Sequence, residues 1–333
     1  MGVHQSEKNP RPDDEFIPGE IELLVEGNRC RALDGRRTPG VIERYFPDSA
    51  MFRWRIIKYE DEGNYWDLPA ERVCQMQFEP DAARLPAQLV SDVKEKIEFF
   101  QKPLVIKAEE SQRLATEGHV QEITKQAQGC LQEESTFFQD PNPSLDFSSR
   151  QGSKALADDL KRYMSAMGLS LQEASTAEGM VLNPYAGEWN KGMEIAFAEL
   201  GLTSYQGTIP RTADIFKGPG RRTERKRYII HRLAFVRAFM ALLDIAEVVV
   251  YRGMASERDW AERARTLLSC TFSLEVAKAF CHFERDDKYR ISYLVKLKVP
   301  VDKLFMTHWE TTAMNQQYHE AEVLVIHDTP LVL

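Results

Sequence analysis

Two glutamates stand two residues apart, Glu320 and Glu322, at the head of the apolar run Val323 to Ile326. In an extended strand, residues i and i+2 point to the same face, so this spacing sets both carboxylates side by side where the strand begins. Two like charges that close repel, and crowding raises the pKa of one of them, which suits a general base. A solvated strand start would carry the same pair without chemistry. Upstream, the strand-forming run Ala246 to Tyr251 ends in Arg252 and Gly253. An arginine at the end of a buried strand needs an anionic partner, and its planar guanidinium grips two phosphate oxygens at once. Ser269 and Thr271 lie two apart on a third short segment and so present two hydroxyls to one face.

The elements that must hold these groups follow from periodicity. Ser273 caps a helix whose inward stripe is predicted to be Leu274, Ala277 and Phe280. Tyr289 to Val299 alternates as a strand, and the acidic-pair strand follows. Before them, Glu188 to Leu200 reads as a helix closed by Gly201, and a second helix starts near Thr223 and runs through Leu233, Val236, Phe239 and Leu242. The stretch KGPGRRTERKRYIIHR, Lys217 to Arg232, holds seven Lys/Arg against one Glu, with Gly218-Pro219-Gly220 as a lead. It reads either as a basic loop meeting nucleic-acid phosphates or an acidic partner, or as a solvated helix face.

The chain's first half divides differently. Residues 1–18 read as a disordered lead, polar and Pro-containing. Residues 19–78 hold five short strands broken by turns at Asp34-Gly35, Pro39-Gly40 and Gly63-Asn64, which predicts a small antiparallel barrel. The stretch VEGNRCRALDGRRTPGVIERYF resembles the opening of SH3-like and Tudor-like barrels, which are binding modules. Its aromatics Tyr45, Phe52, Trp54, Tyr59, Tyr65 and Trp66 either fill the core or form a cage or stacking platform. Acidic and basic side chains nearly balance there, which argues against phosphate backbone as the main ligand. Residues 79–172 turn helical, with stripes Leu89-Val93-Ile97, Leu114-Val120-Ile123-Ala127 and Leu156-Leu160-Tyr163-Met164, and with Glu133 to Arg150 as a linker. This segment reads as a connector or partner platform.

The 333 residues carry a net charge of −8, so the surface as a whole does not attract nucleic acid. The N-terminus lacks the apolar core of a signal peptide, and no apolar run approaches the ~20 residues of a membrane span. Five scattered cysteines without CxxC spacing point to a reducing cytosol and no zinc site. The expected location is cytoplasmic, or a target cytoplasm reached through a dedicated secretion system, with no membrane partner and no metal.

In their order, Tyr251-Arg252-Gly253, Ser269-Cys270-Thr271 and Glu320-Ala321-Glu322 resemble the Arg-Ser-Glu class of mono-ADP-ribosyltransferases, over roughly residues 173–333. The resemblance implies an α+β chain whose C-terminal domain is a split mixed β-sandwich with flanking helices, and NAD+ as substrate. It assigns Arg252 to the NAD+ phosphates and ribose, and the Gly253 backbone to the nicotinamide amide. Ser269 falls to the catalytic glutamate and the nicotinamide ribose. Thr271 takes the last position of a Ser-Thr-Ser motif whose middle residue is here Cys270. Glu322 becomes the catalytic carboxylate and Glu320 the acceptor-activating one. Thr307 to Tyr318 becomes the acceptor loop, with Trp309 and Tyr318 beside the acceptor. That acceptor is a protein arginine or an RNA or DNA base. The expected setting is a toxin of a toxin–antitoxin or phage-defence system, partnered by an antitoxin or inhibitor protein. The alternatives are an NAD+ glycohydrolase on the same fold and a non-catalytic binding protein.

Overall fold

The computed structural model describes residues 16–33, 37–57, 62–147, 149–169, 187–211, 221–256, 266–281, 291–311, 314 and 319–328. Residues 1–15 of the expected lead, the Asp34-Gly35 turn, Tyr59, Lys217 to Gly220 and Tyr318 lie outside them. The chain is α+β with antiparallel sheets, in two compact units: Met1–Pro103 with Thr208–Thr212, and Leu104–Gly207 with Ala213–Leu333. Among the described residues no helix is long and apolar enough to cross a membrane.

The first unit contains β1 (Ile17–Pro18), β2 (Arg29–Arg31), β3 (Pro39–Phe46), β4 (Met51–Ile56), β5 (Tyr65–Pro69), α1 (Ala70–Val73), β6 (Gln77–Phe78) and α2 (Ala87–Phe100). Its strands form one antiparallel sheet in the order β1-β6-β2-β3-β4-β5. The expected barrel does not close: β1 and β5 end the sheet, and β1 and β6 are two residues each, too short to wrap it. Alternation puts Phe52, Trp54 and Ile56 of β4 inside, where Tyr45 stacks on Phe52 at 4.6 Å and Trp66 tilts against Trp54 at 5.7 Å. The aromatics therefore build the core and not a cage. Of the described aromatics Tyr65 is the exposed one, at 53%, and the Arg53 guanidinium covers its ring at 4.0 Å.

The second unit runs β7 (Pro103–Ile106), α3 (Glu110–Glu134), α4 (Lys154–Ala166), α5 (Gly187–Glu199), β8 (Tyr205–Thr208), α6 (Arg222–Leu242), β9 (Glu247–Ser256), β10 (Leu267–Thr271), α7 (Leu274–Cys281), β11 (Ile291–Pro300), β12 (Leu304–Thr307) and β13 (Glu322–Ile326). Strands β7 and β8 pair with each other; the others form a sheet in the order β11-β9-β10-β13-β12. Every described pair in that sheet is antiparallel, so it is not the mixed sheet expected.

Helix α6 lies at the centre of this unit. From Tyr228 to Met240 every residue is buried, as expected of a helix apolar on nearly all sides. Val120, Ile123, Ala127 and Leu131 of α3 and Leu156, Leu160, Tyr163 and Met164 of α4 share its core with Val323 to Ile326 of β13. The predicted connector is thus divided. Helices α3 and α4 belong to the second unit's core, whereas Val93 of α2 packs in the core of the first. Leu114, expected on the inner stripe of α3, is 62% exposed. The expected linker Glu133 to Arg150 also packs inward, through Phe137, Phe138, Leu145 and Phe147.

Candidate active site

The site forms where the second sheet splits. Strand β10 pairs with β13 along its whole length, Leu267↔Ile326 through Thr271↔Glu322. On its other side β10 meets β9 at Thr271↔Tyr251, the one pair of this junction among the described residues. Beyond that pair β9 stays with β11 as far as Ser256 while β10 stays with β13. The gap between the diverging strands opens into a cleft of about 360 Å³, within the size range of small-molecule sites.

Arg252, Gly253, Ser269, Thr271, Glu320 and Glu322 all line this cleft. Arg252 reaches across the split, donating from Nη1 to the Ser269 carbonyl at 2.5 Å and from Nε to the Met254 sulfur at 3.2 Å. Its guanidinium thus takes an acceptor that a neighbouring strand would otherwise occupy. Ser269 Oγ donates to Glu322 Oε1 at 2.6 Å, which fixes the carboxylate's orientation. Burial pushes the Glu322 carboxyl up to about 7, and the Glu320 charge adds to the rise against the pull of Ser269 and Arg252. Burial raises Glu320 as well. A carboxyl raised in the folded state holds a proton that the unfolded chain releases. Its contribution to stability is complete below about pH 4.5 and is lost as pH rises to about 7.

Glu320 arrives at the cleft by a route other than the one its spacing implies. Strand β13 starts at Glu322, and both His319 and Ala321 have φ of 49°, so no pleat connects the two carboxylates. Thr271 holds the turn: its hydroxyl donates to the Glu320 main-chain oxygen at 2.5 Å and accepts from Ser273 N at 2.9 Å. The residue lines the cleft, and its hydroxyl is engaged inside the chain.

Gly253 is required for packing. A Cβ there would sit 1.6 Å from the Ala277 carbonyl oxygen, so the missing side chain is what lets α7 lie against β9. We expect Gly253→Ala to cost about 3 kcal/mol or more, because backbone and not a movable side chain is in the way. Urea midpoints check this, and Ala277→Gly should fail to rescue it since the clash is with the main chain.

Helix α7 supplies residues that periodicity misassigned. Ser273 caps it, its Oγ accepting from Val276 N at 3.3 Å. The buried stripe is Val276, Ala277 and Cys281, whereas Leu274 and Phe280 face outward. Phe280 and Val276, with Met254 and Ala255, give the cleft an apolar wall.

Two further expectations change. Trp309 is 2% exposed, wedged against Phe272 at 4.4 Å and Phe147 at 4.8 Å, so its ring is core and offers no face to an acceptor. The segment carrying it is anchored by Glu310, which accepts from Thr307 N at 2.8 Å and from Arg232 Nη2 at 3.0 Å, with both side chains 0% exposed. Arg232 comes from the basic stretch, and its neighbours are engaged too: Arg222 and Lys226 with Glu199, Arg227 with Glu224. Arg225 is fully buried. Arg222, Lys226, Arg227 and Arg232 are therefore all paired within the chain. No protein-family model, curated protein or solved structure matches this chain.

Proposed function

We propose that this chain is an NAD+-dependent mono-ADP-ribosyltransferase, its second unit being a catalytic domain built on the split sheet. The observation that carries this reading is the 2.6 Å bond from Ser269 to Glu322, beside Arg252, in a cleft with an apolar wall. Arg252 would bind the anionic diphosphate of NAD+. Phe280 and Val276 offer a surface for the flat nicotinamide. Ser269 and Glu322 would hold the nicotinamide ribose, with the carboxylate accepting from its 2′-hydroxyl. Breaking the nicotinamide–ribose bond leaves its electron pair on nicotinamide, which departs neutral and needs no general acid. The cation left on the ribosyl carbon is of the kind met in glycoside cleavage, and the fixed Glu322 carboxylate stabilises it. The acceptor forms the new bond to that carbon and gives its proton to Glu320, whose raised pKa suits a base.

Protein arginine is the acceptor class we favour over a nucleic-acid base. Two carboxylates complement a guanidinium, and four of the basic residues expected to track phosphates, Arg222, Lys226, Arg227 and Arg232, are paired within the chain. The setting we propose is a toxin acting in a cytoplasm, neutralised by an antitoxin or inhibitor protein. The test is to incubate the protein with labelled NAD+ and, separately, a protein lysate, total RNA and DNA. Label should enter protein. Label in RNA or DNA would overturn the arginine preference, and nicotinamide release without label would leave a glycohydrolase. No NAD+ consumption would overturn the enzyme reading.

A further inference from the structure

We infer that Thr271 is a positioning residue that sets Glu320 for transfer, a role resting on the transferase reading above. Its side chain is 6% exposed, and a hydroxyl has one proton to give. That proton goes to the Glu320 main-chain oxygen at 2.5 Å. Past the last ladder pair, Thr271↔Glu322, this bond adds a side-chain link between the end of β10 and the residues that precede β13. It does so where help is needed. His319 and Ala321 flank Glu320 in the left-handed region that L residues seldom occupy, and neither is glycine. Ala321 is itself pinned, since its carbonyl accepts from Phe272 N at 3.1 Å. The Glu320–Ala321 peptide and the peptide that follows it are therefore each held from the end of β10, and rotation of the first is what would turn the Glu320 side chain away from Glu322. Ser269 orients one carboxylate of the pair directly, and Thr271 orients the other through its backbone. Two hydroxyls two residues apart on one strand thus divide the reaction, with Ser269 serving bond cleavage and Thr271 serving transfer.

The measurement is the ratio of ADP-ribose transferred to NAD+ hydrolysed, with the lysate fraction that takes label from the parent protein as acceptor. Thr271→Val keeps the buried shape and removes the proton. The ratio should fall about tenfold, and Thr271→Ser should restore it to within about twofold. Ser273→Ala removes the cap on Val276 N but leaves the Thr271–Glu320 bond, so its ratio should match the parent. A Thr271→Val protein with an unchanged ratio would overturn the inference, as would equal loss of transfer and hydrolysis without recovery in Thr271→Ser. Glu320→Ala separates this from the underlying reading. A lowered ratio in Glu320→Ala but not in Thr271→Val sinks only the positioning role. An unchanged ratio in Glu320→Ala sinks the role of Glu320 in transfer itself.

Discussion

Glu322→Gln is expected to lower NAD+ cleavage by roughly 10²–10³, about 3–4 kcal/mol of barrier, while leaving the protein no less stable. The amide keeps an oxygen to accept from Ser269 Oγ, so the 2.6 Å contact and the strand geometry survive. What disappears is the charge opposite the developing ribosyl cation. The stability half follows from the same burial that raises the carboxyl to about 7. Above that pH the parent keeps an ionised group where the fold favours a neutral one. The amide never ionises, so the variant should gain in relative stability as pH rises from about 4.5 to 7 and level off beyond. Activity of the parent should instead rise with its midpoint near pH 7 and level off about one unit above it, because the cation needs the carboxylate. Thermal midpoints of both proteins between pH 4 and 9, beside initial rates of nicotinamide release, check both halves. A Glu322→Gln protein that cleaves NAD+ at the parent's rate would end the assignment.

Removing the carboxylate of Glu310 is expected to destabilise the second unit by about 3–5 kcal/mol, although the residue touches no substrate in the reading proposed. Glu310→Leu would strand the Arg232 guanidinium, which is 0% exposed, without its counter-charge. Thr307 N and Thr311 Oγ1 would lose their acceptor as well. Arg232 Nε and Nη1 already lack a hydrogen-bond partner among the described residues, so the native pair is itself imperfectly solvated by the protein. The double variant Arg232→Met with Glu310→Leu should therefore recover the share due to the stranded charge, leaving about 1–3 kcal/mol for the unpaired Thr307 N. Denaturant midpoints of the four proteins decide it. A single variant as stable as the double one would show that the buried charge carries no such penalty.

The meeting of Arg252, Ser269 and Glu322 in one cleft was more legible than the frame around it. Arg252, Ser269 and Glu322 declared themselves because each is a polar residue at the end of, or inside, a strongly apolar strand, where alternation fixes its face. Helix α6 was legible for a like reason, since its apolar positions recur over about four turns from Tyr228 to Leu242. Closure of the first sheet was not legible, because alternation gives the two faces of a strand and says nothing of whether the end strands meet. Glu320 was placed in the cleft by a pleat that φ of 49° at Ala321 interrupts, and the residue reaches it through the Thr271 bond. Polar composition also hid the core around Trp309: THWETT looks like a surface loop until Glu310 is seen to pair with Arg232, which lies 78 residues away. Pairing at that distance leaves no local signal.

The order β11-β9-β10-β13-β12 has a consequence for how activity is acquired. Ser269 and Glu322, 53 residues apart in sequence, meet only when β10 pairs with β13, and Arg252 joins them from the strand on the other side of β10. Contacts so distant along the chain carry a large loop-closure cost and form slowly. The central strands of the sheet are thus also the ones whose assembly completes the cleft. A refolding chain should regain NAD+ cleavage in step with protection of the β10 and β13 amides from hydrogen exchange. Should the chain be a toxin, it would be inert until its last long-range pairing closes.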